Sequence, residues 1–417
     1  MMDILVVGGG GRESALVSSL QKSRDVGIVY CAPGNGGIAH SVPIQAMELD
    51  KLVGFALEKG IGFVVVASDD PLVAGLVDRM EGKGIPCFGP DQKAALIEGS
   101  KAFSKDLMSR YHIPTARYRV FTEVEQALAF VSSCPLPTVV KADGLALGKG
   151  VVVAFSHNEA QKAVLDAMVN HRFGRSGATV VIEEFLEGPE VSVLSFTDGR
   201  TLVPMVSSMD HKRAYEGDTG PNTGGMGTIA PNPFYTPEIA KECMQSIFLP
   251  TLRAMEHEGR LFKGCLYFGL MLTQAGPKVI EYNCRFGDPE AQVVLPLLKS
   301  DLLTIMRHVH EGVLSSSDVV FSSDSACCVV LASGGYPLSY EKHKEITITD
   351  NNALLFHAGT SLVDGRLVTS GGRVMDVVAT APTLSEAIGK AYGNIASVHF
   401  ENMQYRRDIG QKALTGR

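Results

Sequence analysis

Hydrophobic residues along this chain fall in short runs that end at glycine, and the runs alternate with amphipathic stretches. Residues 4–7 are apolar without interruption and too few for a helix, so they predict a buried strand. The glycines that follow lead into a helix over 14–20. Strands at 27–30, 63–67 and 86–88 alternate with helical periods at 49–58 and 71–80, the pattern of a small parallel sheet covered by helices. Beyond residue 100 the order changes. A helix to 110, strands at 138–141 and 151–155, a helix over 158–169, and strands at 179–182, 265–273 and leading into 281–283 predict a larger mixed region. Inside it, 207–228 shows neither period and predicts a long loop. A helix over 301–311 and a serine-rich linker at 314–318 precede strands at 326–332, 345–349, 353–358, 366–369 and 372–379, with a helix over 384–391. These predict a small mixed domain whose glycine turns, at 333–337 and 370–373, read first as structural hairpins.

Composition adds limits. With 417 residues, two to four domains are expected, and 44 glycines with 45% hydrophobic residues suit a globular α/β protein. The net charge of −7 without a long basic run gives no reason to expect a nucleic acid or membrane partner. No apolar run approaches the roughly 20 residues that a spanning helix needs, and the N-terminus lacks the basic start of a signal peptide. Eight cysteines without a CxxC pair predict reduced, buried thiols and a cytoplasmic protein. The chain ends without room for a further domain, so one activity is expected, in a monomer or alternatively a dimer.

The densest chemistry lies at 279–290, VIEYNCRFGDPE. Glu281 and Asn283 are two apart, so on a strand both leave the same face, and their oxygens suit a hard cation such as Mg²⁺. Arg285 continues that series with a planar fork for carboxylate or phosphate, before Gly287, Asp288 and Pro289 turn the chain. At the other end, glycines between a strand and a helix let backbone N–H groups approach an anion. A substrate phosphate is therefore expected near Gly8, Gly10, Gly11 and Asn35. A nicotinamide dinucleotide is opposed by Glu13 or Ser14 at the third glycine position, and by the lack of an acidic residue ending the second strand. Lys101 and Lys105 share a helix face. The hairpin Gly144 to Gly150, with Gly148 and Lys149, can close on phosphates, and it is no Walker A loop because no GxxxxGK[ST] precedes a helix.

Lys105, Lys141 with its glycine-rich hairpin, EEFLEGPE at 183–190 and the E-x-N of 281–283 occur in the order that resembles the ATP-grasp superfamily. The resemblance implies an α/β ATP-grasp fold with an N-terminal Rossmann-like domain (1–100), a central domain (101–122 and 189–315), a lid subdomain (123–188) and a C-terminal mixed domain (325–417). It implies that Glu183, Glu184, Phe185 and Leu186 lie at adenine and Glu190 at ribose. Lys105, Lys141, Gly144, Gly148, Lys149 and Gly150 would lie at the phosphates of ATP, with Mg²⁺, or Mn²⁺ instead, on Glu281 and Asn283. The stretch 207–228, SSMDHKRAYEGDTGPNTGGMGT, is similar to the glycinamide ribonucleotide synthetase family almost residue for residue. GGGGRE, PGNGG, EGSKAFSKD, RFGDPEAQ, ASGGYP, HAGT and TSGGRV extend the likeness along the chain. That family joins glycine to 5-phosphoribosylamine through glycyl phosphate. The resemblance implies that Arg285 clamps the glycine carboxylate or the transferring phosphate and that Asp210 meets an ammonium. Lys212 with Asn222, Thr223, Gly224, Gly225 and Met226 would line the sugar-phosphate, with Gly287 and Asp288 beside them. The chain departs from the family in having Ser14 where a histidine is usual and Asp69-Asp70 where a glutamate is usual. The strand before E-x-N also lacks a third metal carboxylate. An aminoimidazole ribonucleotide carboxylating enzyme would share the ATP motifs but lack the 207–228 loop. An oxidoreductase reading rests on the four glycines alone.

Overall fold

A computed structural model describes residues 1–146, 150–350 and 352–416. The first apolar runs form a parallel sheet in the order Val26–Pro33, Met2–Gly8, Phe63–Val66, Cys87–Phe88. Parallel strands must be covered on both faces, and two separate buried clusters flank this sheet, through Ile4, Val6 and Leu16 on one side and Leu5, Val7 and Leu52 on the other. The helical period at 71–80 is two helices, Asp69–Val73 and Leu76–Glu81. Gly75, with φ of +83°, takes the left-handed conformation that ends the first of them.

The central sheet is antiparallel, in the order Leu202–Pro204, Glu190–Thr197, Gly264–Thr273, Gly276–Asn283. A second antiparallel sheet, Tyr118–Phe121, Val180–Glu184, Thr138–Ala142, Val151–Ala154, packs the helices Val124–Val131 and His157–Met168 around its own small core of Ala127, Val131, Val140, Val164 and Ile182. That core shares no residue with the other buried clusters, as expected of a lid. The long strands Ser325–Ser333 and Arg373–Ala381 centre the last sheet.

The expected loop at 207–228 is largely paired strand. Met209–Asp210 pairs with Gly227–Ala230, which pairs in turn with Ser325–Ser333, so this segment is an edge of the C-terminal sheet. Arg213–Tyr215 and Thr219–Asn222 form a hairpin turned by Gly217 (φ +67°) and Asp218 (φ +53°). These strands are two to four residues long, too short for a period of two to show in the sequence. All eight cysteines are free and buried.

Candidate active site

The lid, the central sheet, the hairpin at 213–222 and the C-terminal sheet enclose a cleft of about 1140 Å³. One end is built on Glu183. Val139 lies opposite Glu183 in the lid sheet, so Lys141, two residues on, is the diagonal neighbour on the same face. Lys141 Nζ lies 2.9 Å from Glu183 Oε1 and donates to the Ile280 carbonyl at 2.9 Å. Lys105 Nζ reaches the other oxygen at 2.8 Å and donates to Thr115 Oγ1. Burial alone would raise the Glu183 carboxyl, but Lys141 and Lys105 outweigh it and hold it below its ordinary value. Burial brings the Lys105 ammonium down to about 8 in spite of Glu183. Lys101, one helical turn before Lys105, donates to the Gly144 carbonyl at 3.1 Å and also lines the cleft. The helix Lys101–Arg110 carries both lysines, and its first turn is capped by Ser100 and by Asp143, whose Oδ1 accepts from the Ala102 N–H at 2.7 Å. The base of the glycine-rich hairpin is therefore tied to the lysine helix. Gly148 and Lys149 lie outside the described residues.

The central sheet carries the second group. Glu281 lies opposite Gly269, and a Cβ there would stand 2.8 Å from Glu281 Cγ, so the glycine makes room for the carboxylate to lie across the sheet. Lys212 Nζ bridges Glu281 Oε1 at 3.4 Å and Glu190 Oε2 at 3.0 Å. Lys212, against burial, lowers the Glu281 carboxyl to about 2. Burial would lower the Lys212 ammonium, but Glu190 and Glu281 outweigh it and raise it. The hydrogen-bond network assigns the Asn283 amide nitrogen to Glu98 Oε1 at 2.8 Å and to the Tyr282 carbonyl, which leaves the amide oxygen as the acceptor. An ionised carboxylate and an amide oxygen on one strand face fit a hard divalent cation that takes its remaining ligands from phosphate and water. Among the described residues no group of three or more His, Cys, Asp or Glu forms a fuller metal site.

The far end gathers charges from two helices, the turn after the central strand and the C-terminal sheet. Arg285 Nη2 lies 2.9 Å from Glu98 Oε1 and 3.8 Å from Asp69 Oδ2. Arg373, at the start of its long strand, lies 3.3 Å from Asp288 Oδ2 and donates to the carbonyls of Gly224 and Asp288. Glu290 Oε1 accepts from Ser192 Oγ and Tyr267 OH, both at 3.1 Å. Asp210 Oδ1 is buried without a hydrogen-bond partner, and burial with Glu290 nearby pushes its carboxyl well above the usual range. Beneath the cleft, burial and Asp288 push the Asp376 carboxyl to about 7. His211, between Asp210 and Lys212, is no acid–base group. Its Nδ1 faces the Gly227 carbonyl, its Nε2 accepts from the Gly410 N–H, and burial with Arg406 lowers it to about 4. Arg406, 2% exposed, binds Asp218 Oδ1 at 2.7 Å, Asp408 and the Arg213 carbonyl, and so ties the hairpin to the C-terminal segment.

The cleft brings together Lys105, Lys141, Gly150, Glu183, Glu184, Phe185, Leu186, Glu190, Asp210, Lys212, Asn222, Thr223, Gly224, Glu281, Asn283, Arg285 and Asp288. The expected phosphate turn is different. Gly10 N–H donates to Glu13 Oε2 at 2.6 Å, and a Cβ on Gly11 would stand 2.0 Å from Asp376 Oδ2. The protein's own carboxylates occupy this helix start. Asn35 spends its amide on the carbonyls of Gly9 and His357, as a tie to the C-terminal sheet. Ser14, at the unusual family position, makes a similar tie by accepting from the His357 N–H at 3.1 Å. Gly144 packs on Ser176, and Met226 is fully buried. Gly225, with φ of +112°, lets Pro289 and Asp210 approach, and Gly287 leaves room for the Glu290 carboxylate. Arg12, Glu98, Tyr336 and Arg373 line the cleft and were not among the expected site residues. Lys101, already on one helix face with Lys105 by its spacing, joins them, and the TSGGRV segment carried Arg373.

Models of the phosphoribosylglycinamide synthetase N domain, ATP-grasp (A) domain and C domain match residues 2–98, 99–291 and 326–412. The phosphoribosylamine–glycine ligase of Caldanaerobacter subterraneus is 48% identical over 98% of this chain and 99% of its own length. The crystal structure of phosphoribosylamine–glycine ligase from Thermotoga maritima is similar at a TM-score of 0.86 and 36% identity, covering 98% of this chain and all of that one. The biotin carboxylase domain of the Hydrogenobacter thermophilus 2-oxoglutarate carboxylase, solved with MgADP and bicarbonate, shares the fold at a TM-score of 0.75 and 16% identity, over 97% of this chain and 92% of its own. The chain has the ATP-grasp fold and belongs to the phosphoribosylglycinamide synthetase family.

Proposed function

We propose that this protein is a carbon–nitrogen ligase that joins glycine to 5-phosphoribosylamine at the expense of ATP, giving glycinamide ribonucleotide, ADP and phosphate in purine biosynthesis. The observation that carries the reading is the segment 209–224, which runs from Glu190 and Glu281, bridged by Lys212, to Arg373 and lines one cleft along that length. In the first step a glycine carboxylate oxygen attacks the γ-phosphorus of ATP and ADP leaves. In the second the phosphoribosylamine nitrogen attacks the glycyl carbonyl, and phosphate leaves with its bonding pair. Phosphoryl transfer asks for positioning and charge more than covalent help. Lys105 and Lys141, oriented by Glu183, supply that charge at the phosphates. Adenine lies along the backbone of Glu183 to Leu186, and ribose at Glu190.

Glu281 and the Asn283 oxygen would hold Mg²⁺, or Mn²⁺ in its place, which when bound neutralises charge on the phosphate oxygens. Arg285, braced by Glu98 and Asp69, faces the glycine carboxylate or the transferring phosphate. Asp210, buried and without a hydrogen-bond partner, is placed for an ammonium, whose approach would favour its ionised form. The sugar-phosphate lies along Asn222 to Gly224 rather than at the N-terminal glycines. Eight buried, free thiols support a cytoplasmic location, and a monomer is expected by light scattering.

The test is phosphate release from ATP, measured with glycine and freshly made phosphoribosylamine together and separately. Release that needs both supports the reading, and release indifferent to either overturns it. Arg285→Ala, with folding checked by circular dichroism, should lose about 10²–10³-fold in rate, as for removal of one transition-state donor. Near-normal ligation by that variant would remove Arg285 from the mechanism.

A further inference from the structure

The Lys212 ammonium stands between two carboxylates with separate tasks, 3.0 Å from Glu190 at the ribose and 3.4 Å from Glu281 at the metal. Among the described residues no other salt bridge reaches Glu281. The backbone of Lys212 cannot follow a departing side chain. Its carbonyl accepts from both the N–H and the Oγ1 of Thr223, at 2.8 and 2.9 Å, while the neighbouring Asp210 and Arg213 lie in paired strands. The ammonium itself sits on a flexible four-carbon stem, a third exposed to the cleft.

We infer that Lys212 is a built-in counter-ion which occupies the metal carboxylate of the free enzyme, and that the divalent cation must displace it to bind. The inference rests on the assignment of Glu281 and Asn283 to the metal. A cation of this kind binds its oxygen ligands at about 2.0–2.1 Å, which would set it against a fixed positive charge on the same carboxylate. Nucleotide phosphates change that balance twice. They add negative charge at the metal, and they offer the released ammonium a new anionic partner. Metal and nucleotide therefore enter together, and each raises the other's affinity by the same factor. Lys212 also delivers its charge to the phosphates only once they have arrived, so it reports nucleotide occupancy to the segment 209–224 that faces the acceptor.

The probe is Mn²⁺ alone, titrated into the full chain without nucleotide and followed by electron paramagnetic resonance, with wild type, the single variants Lys212→Gln and Lys212→Met, the pair Lys212→Gln/Glu281→Gln, and Glu281→Gln as the control for the metal assignment. Both single variants should bind Mn²⁺ about tenfold or more tightly than wild type, within the usual range of site–site coupling, and the added Glu281→Gln should abolish the gain. The enhancement of Mn²⁺ affinity by ADP should be large in wild type and shrink in the single variants. Equal Mn²⁺ affinity in wild type and both single variants overturns the inference. If Glu281→Gln alone leaves Mn²⁺·ADP binding intact, the metal assignment itself has failed. If Glu281→Gln loses that binding while the Lys212 variants gain nothing, the metal assignment stands and only the counter-ion fails. Should the variants not fold, a wild-type Mn²⁺ affinity unchanged by ADP overturns it equally.

Discussion

The two ends of the cleft solve the burial of charge in opposite ways. At the end proposed for the nucleotide one carboxylate, Glu183, holds two lysines at 2.8 and 2.9 Å, so the cations proposed for its phosphates are already fixed in place. At the end proposed for the acceptor, acids converge from helices, the turn after the central strand and the C-terminal sheet, and several are pushed toward the neutral form. Glu98 and Asp210 are raised by burial, and Asp376 by burial and Asp288. Preset cations suit a polyanion that always binds the same way. Carboxyls waiting for a partner suit an amine or ammonium, whose arrival restores their charge.

Breaking the preset end should have the largest effect. Glu183→Gln leaves Lys105 and Lys141 buried without their counter-ion, and removing one partner of a buried pair costs roughly 3–5 kcal/mol. Urea unfolding should show that loss, and a difference below about 1 kcal/mol would mean that the lysines find other partners. Arg406→Ala should cost about 1.5–3 kcal/mol, the range for hydrogen bonds to charged groups. It should also weaken substrate binding more than it lowers the maximal rate, because it frees the hairpin bearing Asn222 and Asp218 rather than a reacting group.

The acceptor end can be sharpened by pH. Asp376 has its ordinary carboxyl value of 3.8 raised to about 7, so between those values the folded state binds the extra proton. The stability contributed by this group therefore falls as pH rises from about 4 to about 7. Asp288 is lowered instead, which places its effect below its ordinary 3.8 and outside that window. Asp376→Asn should gain melting temperature relative to wild type at pH 8 more than at pH 5, and a gain independent of pH would refute the assignment. The smallest effect is expected at Ser14→Ala, about 1 kcal/mol from one lost bond to the His357 N–H, with nucleotide affinity unchanged.

That the residues around Glu183 would converge on one cleft was largely legible because their motifs are local. Lys141 precedes its glycines, EEFLEGPE follows a strand, and E-x-N lies within three residues. The acceptor end was not. Arg373 comes from a turn that reads as a structural hairpin, yet it lies 3.3 Å from an aspartate 85 residues earlier. The N-terminal glycines looked like a phosphate cradle because their spacing cannot show that Glu13 and Asp376 point into it.

By itself, the sequence determined what backbone geometry and short-range chemistry control. The apolar runs and their glycine stops set the strands, two-residue spacing placed Glu281 and Asn283 on one face, and four-residue spacing placed Lys101 beside Lys105. Only the tertiary structure decided which charge answers which. Lys141 meets Glu183 through strand register, Lys212 meets Glu281 across 69 residues, and the ligand candidate Asn35 is tied to His357, as is Ser14. An ion pair depends on distance in space and on what else is buried beside it, and neither is written in the spacing of residues along the chain.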